Sequence, residues 1–414
     1  MTRRIAILHY ASPPTVGGVE ATIVYHARGL TELGYTVRVV SGAGDRFDER
    51  VETHINPLFG SKHPDVLAVK AELDAGKASP QFDALIDRLG EALRTALDGC
   101  DVCIAHNVHT LHKNLALTAA LARMTAGDGL RWLAWCHDLA WTNPQYQAEL
   151  HAGYPWDLLR QAWPRTCYVT VSEPRRDELA ELLDLPPESI AVVPPGVDPA
   201  RFFHWTPTTQ YLAERLALLD ADGLFLLPAR LTRRKNIALA LRVLAEVRRQ
   251  SGRDLRLIVT GPPGPHNPAN PGYLGELLEL RRELGLEESA HFLYAYGDSA
   301  DQPLVPDDDT LANLYQLADA LLFPSLQEGF GIPVLEAGLA GLPVFCSDIP
   351  PFRKSGANDV NYFNPVDEPP EHIAARVLAA LDAHAPYRLR LRVRRSYRWE
   401  AIIRDQIAPL VEGR

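Results

Sequence analysis

The fold of this chain is decided by residues 320–336, which have the sequence ALLFPSLQEGFGIPVLE. The first four residues are continuously apolar, as is typical of a short strand that is buried on both faces. Gly329 and Gly331 follow in a loop, and Pro333 stands where a proline suits the first turn of a helix. The segment therefore predicts a strand, a loop and a helix, in the order that parallel α/β sheets use.

This loop has the chemistry of an anion site. Its glycines allow a ligand close to the backbone, and a helix start offers free N–H groups and a partial positive charge to a phosphate. Glu336 lies one turn into the helix, where a diphosphate would repel it unless the carboxylate faces hydroxyls such as those of a ribose. Glu328 lies in the loop, placed to hold the hydroxyls of a sugar. An ordinary helix start with two glutamates of no special role has the same pattern, so the residues alone leave both interpretations open.

The alternation of strands and helices continues outward from this segment in two series. The first series predicts strands at 5–10, 36–40, 102–105, 132–136 and 168–171, with helices at 19–33, 84–97 and 115–124. The second predicts strands at 224–227, 255–260, 320–323 and 344–346, with helices at 236–249 and 333–340. A turn-rich segment with three prolines, 193–199, separates the two series and indicates a domain boundary.

We therefore predict an α/β fold of two Rossmann-like domains that face each other across a cleft. The first domain would span residues 1–197 and the second 198–386. Residues 387–414 are Arg-rich and amphipathic, and we expect them to form a closing helix that packs back on the first domain.

The bulk composition excludes several classes of protein. A net charge of −10 argues against a nucleic-acid partner, because phosphate binding needs a basic surface. No apolar run approaches the ~20 residues that span a bilayer, so we expect no transmembrane segment. The five cysteines lie in apolar stretches, and we interpret them as buried thiols of a cytoplasmic protein.

The segment from Glu328 to Glu336 resembles the EGFGxxxxE motif of the retaining glycosyltransferases of family 4, which have the GT-B fold. Other segments resemble motifs of that family in the same order along the chain: Gly17-Gly18-Val19-Glu20 its GGxE loop, Trp135-Cys136-His137-Asp138 its histidine segment, Pro195-Gly196-Val197-Asp198 its interdomain PNGVD, and residues 229–236 its GRLxxxKG.

The resemblance implies a set of site residues. The implied catalytic residues are His137, Arg230, Lys235 and Glu328. The implied donor site comprises Gly17, Gly18, Arg230, Lys235, Glu328, Gly329, Phe330, Gly331, Ile332, Pro333, Val334 and Glu336. Arg230 and Lys235 would neutralise the donor diphosphate, Glu336 would bind the ribose, and His137 would hydrogen-bond a hydroxyl beside the transferred sugar.

Polar residues that follow strands of the first series are interpreted as lining the acceptor side. They are His106, Asn107, His109 and Asp138. Trp141 is added to this side because it lies in an aromatic-rich loop that could stack on sugar rings, although simple core packing would explain the same loop. A metal site at the histidines would lack carboxylate ligands, and the resemblance implies no metal and no cofactor. The Pro-rich stretch 261–268 is either a plain surface loop or a loop that shapes the donor or acceptor site.

Two departures from the family pattern lie in the basic motif. Ala229 and Asn236 stand where the motif has its first and last glycines. Neither change removes a charge, so we expect the diphosphate site to survive.

The reaction that the resemblance implies is transfer of a hexose, with retention, from a UDP-, GDP- or ADP-sugar to a hydroxyl acceptor, which we expect to be soluble. Two alternatives stay open at this point. One is a phosphorylase or sugar-nucleotide epimerase on the same fold, and the other is a sugar-nucleotide-binding protein without catalytic activity.

Overall fold

The computed structural model describes residues 3–127, 129–263, 270–297 and 302–413, and the chain divides into two compact units. Unit 1 is Met1–Val197 together with Tyr397–Arg414, and unit 2 is Asp198–Ser396. Most of the Pro-rich stretch 261–268, from residue 264 onward, lies outside the described residues. In the ranges described, no helix combines the length and the apolar character needed to cross a bilayer.

Unit 1 is built on a seven-stranded parallel sheet with the order β3-β2-β1-β4-β5-β6-β7, counted over the described residues. Its strands are β1 Arg4–His9, β2 Thr36–Ser41, β3 Glu52–Ile55, β4 Val102–His106, β5 Arg131–Cys136, β6 Thr166–Thr170 and β7 Ala191–Val192. Its helices are α1 Gly18–Glu32, α2 Pro64–Asp74, α3 Pro80–Ala96, α4 Leu115–Thr125 and α5 Glu173–Leu183. Short 3₁₀ turns cover Pro57–Phe59, His112–Asn114, Gln147–Glu149, Trp156–Arg160 and Pro187–Ser189.

Unit 2 is built on a six-stranded parallel sheet with the order β10-β9-β8-β11-β12-β13, again over the described residues. Its strands are β8 Gly223–Leu227, β9 Leu255–Val259, β10 Ala290–Phe292, β11 Ala320–Phe323, β12 Val344–Ser347 and β13 Asn361–Phe363. Its helices are α6 Pro199–Phe202, α7 Pro207–Arg215, α8 Ile237–Ser251, α9 Asn270–Glu283, α10 Asp308–Leu317, α11 Ile332–Leu339, α12 Pro350–Gly356, α13 Pro370–Ala383 and α14 Ala385–Ser396. Two 3₁₀ turns cover Arg233–Lys235 and Leu293–Tyr296.

The strands form where the sequence is continuously apolar because each sheet has helices on both faces. In β4, β8 and β11 every residue is buried, which is the pattern of a central parallel strand. The strand order reverses direction beside β1 in the sheet of unit 1 and beside β8 in the sheet of unit 2. Doubly wound sheets bind ligands in the crevice that such a reversal creates. The predicted α/β class with two Rossmann-like sheets is confirmed.

The C-terminal segment differs from the single closing helix expected over 387–414. Its first part is α14, which stays with unit 2 because Tyr387 donates a hydrogen bond to the Asp222 carbonyl at 2.8 Å and Arg394 forms a buried ion pair with Asp319 at 2.6 Å. Its second part returns to unit 1 as α15 Trp399–Ile402, a π-helical turn Ile403–Ile407 and α16 Ala408–Glu412.

The returning segment completes the core of unit 1. Trp399 stacks on Tyr25 of α1 with ring centroids 5.1 Å apart, and Ile403 packs against Gly29, where an added Cβ would lie only 2.2 Å from its Cδ1. Val197 and the 397–399 segment form a short parallel bridge, in which the Val197 N–H donates to the Tyr397 carbonyl at 2.6 Å. The boundary therefore falls at Tyr397 rather than at 387.

Candidate active site

In unit 2, Lys235 and Glu328 form an ion pair at the carboxyl edge of the sheet. Lys235 ends the 3₁₀ turn after β8 and Glu328 lies in the loop after β11, and the Lys235 Nζ lies 2.5 Å from the Glu328 Oε1. Both side chains are about nine-tenths buried. A second link joins the same loops, since the Leu326 N–H donates to the Arg234 carbonyl at 2.8 Å. The basic motif and the glutamate motif therefore lie in contact, although 93 residues separate them.

The Lys235 ammonium is largely held out of water and packs against an aromatic ring. Its ammonium lies 4.9 Å from the centre of the Phe323 ring. Burial lowers the pKa of Lys235 below its usual value, and the hydrogen bond and charge of Glu328 partly offset that effect. A desolvated ammonium interacts more strongly with an anion than an exposed one does.

The neighbouring arginines differ in their contacts. Arg230 is exposed and has no hydrogen-bond or ion-pair partner among the described residues, so its guanidinium is available to a ligand. Arg234, to which sequence reasoning assigns no role, lies 3.3 Å from the Glu328 Oε2. Arg233 instead pairs with Glu276 at the surface.

One of the two departures from the glycine pattern, Asn236, has a conformational explanation. Asn236 has φ 50° and ψ 43°, the left-handed region that glycine and asparagine tolerate best, so the asparagine preserves the turn into α8. Gly331 has φ 102°, and a Cβ there would lie 2.7 Å from the Phe352 ring. Gly261, the first residue of the Pro-rich stretch 261–268, lies against the loop after β8, because a Cβ on it would lie 2.5 Å from the Ala229 carbonyl oxygen.

Helix α11 begins directly after Gly331 and presents its first turn at the surface. Phe330 and Ile332 are exposed, as is Gly329, and Pro333 occupies the first turn as predicted. The Val334 side chain is buried in the core, so this residue can contact a ligand only through its backbone. The helix start thus offers backbone N–H groups beside the Lys235–Glu328 pair.

Glu336 is held by a tyrosine that the sequence analysis missed. The Tyr315 hydroxyl, from α10, donates to the Glu336 Oε2 at 2.6 Å. Burial, reinforced by the Glu336 carboxylate, raises the pKa of Tyr315. Tyr315 therefore stays protonated and fixes one carboxylate oxygen, while Glu336 Oε1 has no partner among the described residues.

In unit 1, His137 follows β5 immediately and contacts His106, the last residue of β4. Their nearest ring nitrogens, His106 Nδ1 and His137 Nε2, lie 2.9 Å apart. Burial, followed by the charge of His9, lowers the pKa of His137 to about 4. Burial also holds the pKa of His106 well below its usual value. Both imidazoles are therefore neutral at pH 7.

Asn107 clamps the loop that carries His137. Its Oδ1 accepts from the His137 N–H at 2.8 Å and from the Asp138 N–H at 3.2 Å. The residue has φ 60°, again the region that asparagine tolerates. Asn107 is buried, so its place on the expected acceptor side is that of a support for His137.

Two other residues expected on the acceptor side are engaged in packing. The His109 ring is buried 4.2 Å from the Trp163 ring centre, and neither of its nitrogens has a partner among the described residues. This corrects the expectation that His109 lines the acceptor side, because no face of it is accessible. The same correction applies to His106, whose side chain is fully buried. Trp141 is half-buried, donates to the Trp156 carbonyl at 3.1 Å and lies under the Arg160 guanidinium.

Gly17 and Gly18 lie at the start of α1, as predicted. The Glu20 carboxylate folds back onto this helix start, since a Cβ on Gly17 would lie 2.0 Å from its Oε2. A negative side chain already interacts with this helix terminus, so a donor phosphate would reach these glycines only if Glu20 moved. Over the described residues, no three His, Cys, Asp or Glu side chains are arranged to hold a metal ion.

Comparisons with known proteins identify the family. Residues 16–201 match the model of Glycosyltransferase Family 4, and residues 212–396 match the model of Glycosyl transferases group 1. D-inositol 3-phosphate glycosyltransferase of Corynebacterium diphtheriae is 31% identical over 178 residues, 42% of this chain and 38% of that protein. The match thus spans well under half the length of that curated relative.

Two further proteins align over more of the chain. Mannosylglucosylglycerate synthase of Petrotoga mobilis is 24% identical over 371 residues, 84% of this chain and 83% of that protein. A solved glycosyltransferase from Rickettsia africae ESF-5 aligns with 100% of this chain and 98% of its own at 16% identity, with a TM-score of 0.38. Because the two family models together span most of the chain, the protein belongs to the glycosyltransferases of family 4.

Proposed function

We propose that this enzyme transfers a hexose, with retention and without a metal ion, from a nucleoside-diphosphate sugar to a hydroxyl acceptor. The observation that carries the proposal is the Lys235–Glu328 pair, with its 2.5 Å contact beside the start of α11. A desolvated cation, a free arginine and a helix start are the groups that a departing diphosphate needs.

The diphosphate is proposed to bind between Arg230 and Lys235. Arg230 has no partner in the described part of the chain, so it can engage a phosphate without first breaking an ion pair. Lys235 shares its charge with Glu328, which in turn offers carboxylate oxygens to sugar hydroxyls. Charge placed where the leaving group develops its own charge lowers the barrier of the chemical step.

The ribose of the donor is proposed to bind at Glu336. Tyr315 occupies one carboxylate oxygen at 2.6 Å, which orients the group and leaves the other oxygen to accept from a ribose hydroxyl. A fixed carboxylate loses less conformational entropy on binding than a free one.

The acceptor is proposed to approach His137. Since this imidazole is neutral at pH 7, it orients hydroxyls by hydrogen bonding and does not add positive charge. The departing diphosphate then takes the acceptor proton on the same face. A small soluble acceptor is proposed, and the Corynebacterium relative is named for such a compound, D-inositol 3-phosphate.

The first test is a thermal-shift screen with UDP, GDP, ADP and dTDP, followed by transfer assays with the corresponding sugars. We expect one nucleotide to raise the melting temperature, and the product to keep the anomeric configuration of the donor by NMR with EDTA present. A shift with none of the four would refute the donor assignment. Nucleotide binding without transfer to any acceptor would favour a binding protein, and dependence on phosphate would favour a phosphorylase.

Mutations assign the site. Lys235→Ala should lower kcat at least tenfold, because it removes charge from the leaving group. Lys77→Ala removes an exposed lysine of unit 1 and serves as the matched control. Glu336→Ala should weaken nucleotide binding, whereas Glu181→Ala on the surface of α5 should not. Wild-type transfer by both site variants would show that the chemistry lies elsewhere.

A further inference from the structure

Four histidines gather at the carboxyl edge of the unit 1 sheet. His9 ends β1, His106 ends β4, His137 follows β5, and His26 lies on α1 with its ring centre 5.3 Å from that of His106. The carboxyl ends of parallel strands meet at one edge, which brings the first three together. Only one pair within this cluster is joined ring nitrogen to ring nitrogen, His106 Nδ1 and His137 Nε2 at 2.9 Å.

This contact requires one proton between the two nitrogens. A neutral imidazole carries its proton on one nitrogen and a lone pair on the other, so either His106 donates to His137 or the reverse. The direction of this hydrogen bond also determines whether the second nitrogen of each ring carries a proton. If His106 Nδ1 donates, its Nε2 is bare and His137 is protonated on Nδ1. If His137 Nε2 donates, His106 Nε2 carries the proton and His137 Nδ1 is bare.

The surroundings of His106 Nε2 decide between these states. This atom is buried and has no hydrogen-bond partner in the part of the chain that the structure describes. The rings nearest to His106 include those of His26 and Trp135, with centres at 5.3 and 5.7 Å, and neither supplies an acceptor to it. Buried N–H groups without an acceptor are rarer in proteins than unsatisfied acceptors. The state with a bare Nε2 on His106 is therefore favoured.

Independent contacts hold both rings in place. The His9 Nδ1 lies 2.8 Å from the His106 carbonyl oxygen, which only accepts, so His9 donates there and fastens the end of β4 to β1. The Asn107 Oδ1 accepts from the His137 N–H at 2.8 Å and fastens the start of the next loop. The His106–His137 contact is thus set by the backbone of three neighbouring strands.

We propose that His106 is a positioning residue that fixes the tautomer of His137, so that the Nδ1–H of His137 is presented to the substrate as a hydrogen-bond donor. The proposal rests on the proposed function in one respect, that His137 faces the substrate. His137 then donates to a sugar or acceptor oxygen and has no lone pair left to act as a general base. The low pKa of each ring, caused mainly by burial, keeps the pair neutral and the proton arrangement single at pH 7.

The direct test is NMR of the whole protein labelled with ¹⁵N-histidine at pH 7. The ring signals of His137 are those missing from His137→Gln, and the two-bond ¹H–¹⁵N pattern reports which nitrogen is protonated. We expect His137 and His106 both to be protonated on Nδ1. A His137 protonated on Nε2, or one that exchanges between the two forms, overturns the proposal. This measurement needs no activity, so failure of the proposed function would be seen separately, as absence of transfer.

A pair of variants tests the consequence for catalysis. In His106→Asn the amide Nδ2 stands close to where the Nδ1–H was, whereas His106→Leu has no donor. We expect His106→Leu to lose about tenfold in kcat with little change in donor KM, and His106→Asn to recover most of that loss. His109→Leu, which also removes a buried imidazole, is the control for lost packing. Equal loss of kcat in the two His106 variants, or wild-type kcat in His106→Leu, contradicts the positioning role of His106. If His106→Leu fails to fold, the NMR result and the kcat of His106→Asn still test that role.

Discussion

Replacing His109 with leucine should make unit 1 more resistant to acid, because this histidine is buried without a hydrogen bond. Burial alone lowers its pKa from 6.5 to about 3, so the folded protein does not take up the proton that the unfolded chain binds below pH 6.5. A proton bound only by the unfolded chain destabilises the fold. The contribution of His109 to the free energy of unfolding therefore does not change with pH above pH 6.5. It becomes steadily more unfavourable as the pH falls from 6.5 towards 3.

The magnitude follows from the two pKa values. At pH 5 the solution is 1.5 units below the unfolded pKa and still well above the folded one, so the penalty is about 2 kcal/mol at 1.36 kcal/mol per unit. At pH 7 it is close to zero. Leucine is near histidine in volume and keeps the contact with Trp163, so we expect the substitution itself to cost less than ~1.5 kcal/mol at pH 7.

The assay is urea unfolding at a series of pH values from 7 to 5, followed by circular dichroism. The difference in free energy of unfolding between His109→Leu and wild type should move by about 2 kcal/mol in favour of the variant across this range. His372→Gln, which changes an exposed histidine, should show no such movement. A difference that stays constant from pH 7 to 5 would refute the burial argument, and loss of transfer activity in His109→Leu would restore His109 to the acceptor side.

Substitutions at three other positions test features of unit 2. Tyr315→Phe removes the hydrogen bond to Glu336 and should raise the nucleotide Kd about fivefold, as the loss of one hydrogen bond predicts. Isothermal titration calorimetry measures this Kd, and an unchanged value would argue that Glu336 does not bind the ribose. Asn236→Gly should keep the melting temperature within a few degrees, whereas Asn236→Val should destabilise by about 1–2 kcal/mol; equal melting temperatures would contradict the left-handed conformation. Asp319→Ala removes the carboxylate that forms the buried ion pair with Arg394 and should cost about 3–5 kcal/mol in urea unfolding. A cost under 1 kcal/mol would show that α14 is held by other contacts.

The sequence predicts the sheets well because the relevant signals are local. Each of these signals indicates the structure of neighbouring residues only: continuous apolar runs indicate strands, Pro333 a helix start, and the glycines a loop. The family resemblance brings Lys235 and Glu328 to one edge, and the structure shows them in contact. Asn236 looks like a departure in the motif, yet its backbone angles show that the turn is preserved.

The partners of the site residues could not be predicted in this way. Tyr315 reaches Glu336 from another helix, and His26 reaches His106 from α1, so both contacts depend on how helices lie on the sheet. The burial of His109 depends in the same way on where Trp163 packs. The point at which the chain returns to unit 1, Tyr397, is not marked by a sequence signal of a boundary. The Arg-rich pattern runs through it without a proline or glycine.

That return has a consequence for how the molecule is made. Unit 2 is an insertion in unit 1, and both connections leave unit 1 at the Val197–Tyr397 bridge. During synthesis the α/β sheet of unit 1 emerges first but lacks Trp399, Ile403 and Ile407, which belong to its core, until the final helices leave the ribosome. Unit 2 can therefore finish folding before unit 1 does. A fragment that stops at residue 197 would expose an apolar face on α1. Unit 1 is therefore best expressed with residues 397–413 joined back to it through a short linker.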